Sequence, residues 1–495
     1  MSPNKEPANQ TDPTASTGQS RRQFLQRGSS AVAASGVLTS VATTPGLSFA
    51  RSAHPAGVDR IKLGLIGAGG RGAGAACHAM NTDKCQVELH AIADTFPDRL
   101  NQTLQVCKEE HEAKVFVPAE RQFVGFDAYQ KVLASDVDMV ILATPPGFRP
   151  QHFEAAIEAG KHVFMEKPVA VDAPGVRRVL AAGEKAKEKN LAVQVGLQRR
   201  HERAYRETIA ELKDGIIGPM NFSRVYWNSE GVWCNSRQPE QTELEYQMRN
   251  WYYFNWLCGD HIVEQHIHNM DVINWLMDGY PVKAQGQGGR LARNGIDHGE
   301  IYDHHMVEYT YANGHKMFSQ CRHIKNCWFQ RGEYAHGAKG YADIDAGQIF
   351  DLDGNEIFKC KEGKGQRAGH QQEHYDLFED LANGKIPNET EYGAKSTMTA
   401  ILGRLATYTG SQLKWDDAIA SNISLADVDS LKSFSDQAPV VPDKDLRYQI
   451  PKPDNSSVAV IDWEVINKEP RNKKPRKKKP RKKKKSEKAT HPKKP

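Results

Sequence analysis

Gly67, Gly69 and Gly72 stand in the spacing G-x-G-x-x-G, with Gly70 and Arg71 between the last two, and an apolar run over residues 61–66 leads straight into them. Positions without Cβ atoms suit one chemistry. The first glycine allows a tight turn, the second lets the backbone approach a pyrophosphate, and the third packs a helix whose N–H groups and dipole meet the phosphate charge. A second apolar run, residues 87–93, ends at Asp94, 22 residues beyond Gly72. A carboxylate there accepts both hydroxyls of an adenosine ribose and repels a 2′-phosphate, so the pattern points to NAD, with NADP as the alternative. The glycine spacing alone is weak in a chain with 40 glycines; the strand before it and the acid after it make it specific.

The elements that must position these residues alternate along the next hundred positions. Residues 138–142 read as a buried strand that opens into Ala143-Thr144-Pro145-Pro146, and the prolines stop it at the carboxyl end, where open parallel sheets place ligands. A helix with Phe153, Ala156 and Ile157 on its apolar side ends at Gly160. Residues 162–165 form the next strand, with Glu166-Lys167-Pro168 on its carboxyl edge; a helix over about 174–188 and a strand over 191–195 follow. Crossovers of this kind predict a doubly wound parallel sheet.

The glycine loop, the Ala-Thr-Pro turn, the Glu166-Lys167-Pro168 triplet and a later Glu264…His268 pattern together resemble the Gfo/Idh/MocA family of glucose–fructose oxidoreductase, inositol dehydrogenase and their relatives. The likeness runs from about residue 60 to about 435. It implies an α/β plus α+β architecture, with a Rossmann domain over 60–196 and a substrate and oligomerisation domain over 197–435. The second would be an open, mostly antiparallel sheet with helices on one face. It also implies that Gly67, Gly69, Gly70, Arg71, Gly72, Asp94, Thr144, Pro145, Glu166 and Lys167 meet the cofactor. The triplet lysine, Lys167, would contact both cofactor and substrate, and His268 would be the catalytic histidine. Glu264 stands where the family usually has Asp, which keeps a carboxylate on a longer arm. A homo-oligomer is expected by the same resemblance.

Residues 260–277 predict one helix. At about 100° per residue, His261, Glu264, His268 and Asp271 fall on one face and the apolar residues roughly opposite. Glu264 and His268, at i and i+4, are expected to pair, fixing the imidazole tautomer and favouring its protonated form. A neutral His near a hydroxyl can take its proton as hydride leaves, and an ammonium beside the same oxygen stabilises alkoxide character. His261, Glu264 and His268 also have a spacing that can gather on a metal, but the order is neither H-E-x-x-H nor H-x-x-E-H, and no metal is expected. His266 points to the apolar side and reads as packing or a core hydrogen bond. For substrate, the candidates are His268, Arg200, Tyr246, Arg249 and Trp251, the last three from a stretch rich in aromatics and arginine, with Gln198 as a further contact by resemblance. Glu373 and His374 match family structural positions without evident chemistry.

The two ends read differently from the body. Ser20-Arg21-Arg22-Gln23-Phe24-Leu25-Gln26, a small-residue apolar stretch and Ser48-Phe49-Ala50 resemble a twin-arginine export signal over residues 1–50, so a soluble periplasmic or otherwise exported protein is expected, handled in transit by the twin-arginine translocase. A C-terminal extension spans 436–470. Residues 471–495 carry a net charge of +14 and the first fifty +2, so of the overall +5 the body holds −11. The Lys/Arg-rich tail is expected to be disordered, able to bind a polyanion but not a specific nucleic acid. Eight cysteines without C-x-x-C spacing argue against a disulfide scaffold or zinc knuckles. The leading expectation is an exported oxidoreductase acting on a sugar, cyclitol or sugar derivative with tightly held NAD. A redox-neutral glycosidase or lyase and a non-catalytic nucleotide- or carbohydrate-binding protein are the alternatives.

Overall fold

The apolar runs become the strands of a parallel sheet. In the computed structural model, which describes residues 59–361 and 368–453, these strands are β1 (Arg60–Ile66), β2 (Gln86–Asp94), β3 (Gln122–Val124), β4 (Met139–Leu142), β5 (His162–Met165) and β6 (Val193–Val195). They lie in the order β3-β2-β1-β4-β5-β6, every neighbouring pair parallel. Leu63, Leu65, Val87, Leu89, Val140 and Val163 are fully buried, as strands covered on both faces must be. Strand order reverses beside β1, which leaves a crevice outside the carboxyl ends of β1 and β4. The helix Gly70–Met80 leaves β1 through the glycine loop. Gly67 has φ +98°, and a Cβ on Gly72 would stand 2.0 Å from the Gly67 carbonyl oxygen, so the loop is closed by backbone contact that no larger residue permits.

A second sheet follows, made of β7 (Met220–Ser229), β8 (Lys283–Gly289), β9 (His304–Thr310), β10 (Lys316–His323), β11 (Gln330–Gly337), β12 (Gly340–Asp343), β13 (Gln348–Asp351), β14 (Glu356–Lys359) and β15 (Leu413–Lys414). Its order is β14-β13-β12-β11-β7-β10-β9-β8-β15, antiparallel except for the β7–β10 pair. Burial alternates along β10, so Met317, Ser319, Cys321 and His323 face inward. The helices Ile267–Leu276 and Thr390–Thr409 cover that inner face and share its core through Met270, Ile273, Met398 and Leu402.

Two features depart from the expected layout. The helix Gly369–Ala382, assigned by sequence to the second domain, returns to the first sheet and buries Leu377 and Phe378 with Leu63, Leu89 and Phe164. The single helix expected over 260–277 is instead two, His261–Glu264 and Ile267–Leu276. Asp260 has φ +74°, and the His266 N–H donates to the His261 carbonyl five residues back, a wider loop than an α-helix that re-aims everything after it. The export signal and the basic tail lie outside the described residues, as does the extension beyond 453. Among the described residues no helix is long and apolar enough to cross a membrane.

Candidate active site

The crevice beside β1 is a cleft of about 420 Å³ whose floor is the glycine loop. A Cβ on Gly69 or Gly70 would meet nothing within 4 Å, and no side chain caps the helix that begins there, so the loop offers open space above uncapped N–H groups. Asp94 stands at the end of β2. The Ala68 N–H donates to its Oδ2 at 2.7 Å and the Phe96 N–H to its Oδ1 at 2.8 Å, which fixes the carboxylate and leaves a lone pair on each oxygen. Burial nonetheless raises its pKa, against those two donors. Thr144 and Pro145 line the wall formed by the β4 turn. An open phosphate cradle, a fixed ribose acceptor and apolar walls fit a dinucleotide. Sequence reasoning missed several lining residues: Phe96, Arg99, Phe126, Tyr129 and Phe148. Only Arg99 left a signal, five residues after Asp94 in the first turn of the helix Pro97–His111.

Lys167, at the carboxyl end of β5, donates from Nζ to the Glu264 carbonyl at 2.6 Å and to Glu264 Oε1 at 2.8 Å. The helix break therefore delivers Glu264 to Lys167 and not to His268, which corrects the expected Glu264–His268 pair. His268 stacks on Trp227, ring centroids 6.1 Å apart, and its buried Nδ1 has no hydrogen-bond partner among the described residues. Burial first, and then the charge of Lys167, hold its pKa well below the usual imidazole value. The ring is thus neutral at physiological pH, where the sequence led us to expect the protonated form to be favoured. The buried Tyr252 phenol lies beside Glu264; burial and then that carboxylate raise its pKa.

Other candidates go elsewhere. Arg71 lines the cleft, but its guanidinium pairs with Glu166 at 2.5 Å and Glu373 at 3.1 Å, so Arg71 and Glu166 brace the wall beside the loop. Arg200 is not at this site. It makes a two-pronged pair with Asp271 at 2.8 and 2.9 Å and lies over the Tyr392 ring, facing a recess with Trp275 and Tyr280. Tyr246 is buried, and its hydroxyl donates to Asp297. Arg249 and Trp251 line the dinucleotide cleft; Arg249 pairs with Asp98 and Glu245 and lies 4.1 Å over Phe96. The aromatic stretch thus turned out to serve core and cleft wall. His266 is a core residue, bonded to Asn269 and Ser319. His261, Glu264 and His268 form no group of described residues whose ligand atoms all lie within 4.8 Å of one another.

Residues 61–197 match the family model GFO_IDH_MocA, described as an oxidoreductase family with an NAD-binding Rossmann fold. The chain is similar to inositol 2-dehydrogenase of Rhizobium meliloti (strain 1021), 28% identical over 282 residues that span 57% of this chain and 74% of that protein. It is 28% identical to the inositol 2-dehydrogenase of Klebsiella pneumoniae (strain 342), over 44% of this chain and 55% of that one. Among solved structures, levoglucosan dehydrogenase in complex with NADH and levoglucosan shares the fold, with a TM-score of 0.57 over 72% of this chain and 99% of that one at 17% identity. Residues 61–197 thus match the NAD-binding Rossmann fold of this oxidoreductase family, and the longer chain is similar to inositol 2-dehydrogenases.

Proposed function

We propose that this protein moves hydride between NAD in the cleft and a secondary alcohol of a cyclitol or sugar. The observation that carries the reading is the Lys167 ammonium, held by Glu264 near a neutral His268 whose Nδ1 has no partner among the described residues. Bound nicotinamide supplies the hydride acceptor. Because His268 is neutral, it keeps a lone pair with which to take the hydroxyl proton. Glu264 occupies two of the three Lys167 N–H groups and aims the ammonium, so the third is left to stabilise negative charge growing on the substrate oxygen. Glu264 acts as a positioning residue. The substrate class is supported by the inositol 2-dehydrogenases that the chain resembles and by the anhydrosugar of the structural neighbour.

The twin-arginine motif supports export of the folded protein with its nucleotide already bound. The exposed Met306, Trp328 and Phe329 support a homo-oligomer, and the charge of residues 471–495 supports polyanion binding. The test of the catalytic reading is absorbance at about 340 nm when NAD-loaded protein meets a panel of inositols, aldoses and anhydrosugars. At least one should reduce the nucleotide; silence across the panel from protein that demonstrably holds NAD would defeat the proposal. A preparation that is nucleotide-free and needs added NAD would leave the catalytic reading intact and remove the loaded-export one.

A further inference from the structure

At the start of the helix His261–Glu264, four side chains with metal-ligating atoms meet in the core: Asp260, His261, His305 and His323, none more than 3% exposed. We propose that Asp260, His261 and His305 form a binding site for one divalent transition ion, Zn2+ foremost, which pins the short helix that carries Glu264. One ligand atom from each of these three lies within 4.8 Å of the others.

The argument rests on where the lone pairs point. Thr407 spends its hydroxyl proton on the Arg404 carbonyl at 2.9 Å, so it can only accept from the His305 Nδ1–H, also 2.9 Å away. In a neutral ring that arrangement leaves Nε2 as the bare nitrogen. His305 Nε2 comes within 3.3 Å of Asp260 Oδ2 without making a hydrogen bond. His261 Nε2 stands 3.8 Å from Asp260 Oδ1, again with no hydrogen-bond partner. Ligands bound at about 2.0–2.2 Å in a tetrahedral shell sit about 3.3 Å apart, so the His261 Nε2–Oδ1 spacing is near that of atoms aimed at a shared ion, while His305 Nε2 stands beside the other oxygen of the same carboxylate. Two donors, Tyr302 N–H and Tyr408 O–H, already occupy Oδ2, while Oδ1 accepts only from the His261 N–H and keeps a lone pair free.

The surroundings agree. His323 donates Nε2–H to Gln265 at 2.7 Å and stacks on His261 with ring centroids 4.3 Å apart, which sets the His261 ring plane. Burial, and then His323 and His305, push His261 well below the usual imidazole range, the neutral state a ligand needs. Two imidazoles and a carboxylate are a borderline set that suits Zn2+ over Ca2+ or Mg2+. The rival explanation is an ion-free pair of Asp260 with a protonated His305.

The test uses the full chain, purified without chelator or added metal, with elemental analysis by plasma mass spectrometry. We expect about one Zn2+ per chain, surviving gel filtration. Exchange into Co2+ should give the visible bands of a tetrahedral ion with no thiolate charge-transfer band, because no cysteine is in the set. His305→Gln should cut the bound metal at least fivefold; should that variant not fold, the Co2+ spectrum of the unaltered chain decides alone. The proposal is overturned by metal-free protein that also shows no Co2+ spectrum. It is equally overturned by a thiolate band, which would assign the ion to the other convergent group, Cys77, Glu110 and His111.

Discussion

An ammonium that already donates to a carbonyl and a carboxylate is fixed in direction before any alcohol arrives, so removing either Lys167 or Glu264 should disable the same device. Lys167→Ala is expected to lower kcat by about 10²–10³, and Glu264→Ala to lower it less, since the lysine then loses only its aim. The double variant should cost hardly more than Lys167→Ala alone, because groups acting as a unit are not additive. Losses that multiply would show that Glu264 acts independently, for example on His268. His268 supplies a second expectation. A base must be deprotonated, and burial together with Lys167 depresses this ring. The acid limb of kcat/KM should therefore fall below pH 6.5, with activity lost as pH drops through the limb. A limb at or above about 6.5 would contradict a depressed His268 as the base.

The glycine loop allows a sharper separation of roles. Gly69→Ala adds a methyl to open space at an ordinary backbone conformation, so thermal stability should hardly change, while the Kd for NAD should rise at least tenfold as the methyl enters the phosphate path. Gly72→Ala drives a methyl onto the Gly67 carbonyl and should lower Tm by several degrees. If calorimetry and NAD titration find the two variants alike, the loop is not the phosphate cradle. These elements were legible from sequence because their cause is local. Strand, turn, helix and acid follow within 35 residues, and the β4 and β5 strands announce themselves by short apolar runs. The break near Gln265 was not legible, because it depends on the positive φ of Asp260 and one carbonyl of His261 accepting from His266. With the break unseen, periodicity placed Glu264 and Asp271 on the face of His268. Their actual partners, Lys167 and Arg200, are 97 and 71 residues away in the chain, and no spacing rule reaches that far. The return of the helix Gly369–Ala382 to the first sheet was hidden for the same reason.

Across the whole molecule, buried neutral histidines tie stability to pH. Burial pushes His152, His266 and His323 down to about 3, and holds His261, His268 and His374 well below their ordinary value. Each binds a proton in the unfolded chain but not in the folded one, so each favours folding fully above about pH 6.5. That favour falls by up to about 1.4 kcal/mol per pH unit as pH drops below 6.5. Burial raises Asp94, Glu300, Glu373 and Glu389, Glu300 to about 7; in the folded state these carboxyls hold protons that the unfolded chain has released, so they offset part of the loss. With His315, His336 and His370 likewise pushed down to about 4 by burial, the depressed histidines outnumber the raised carboxyls, and Tm is expected to fall between pH 7 and pH 5; a Tm that rises on acidification would contradict it. The account as a whole stands on hydride passing at a site where Lys167 and His268 attend one alcohol. Its most direct test is single-turnover reduction of bound NAD, followed at about 340 nm, in the unaltered protein, Lys167→Ala and His268→Ala, each saturated with nucleotide and with the best substrate of the panel. The account expects both variants to bind NAD within about threefold of the unaltered protein while transferring hydride at least about 100-fold more slowly. Transfer at the unaltered rate in both variants would contradict it.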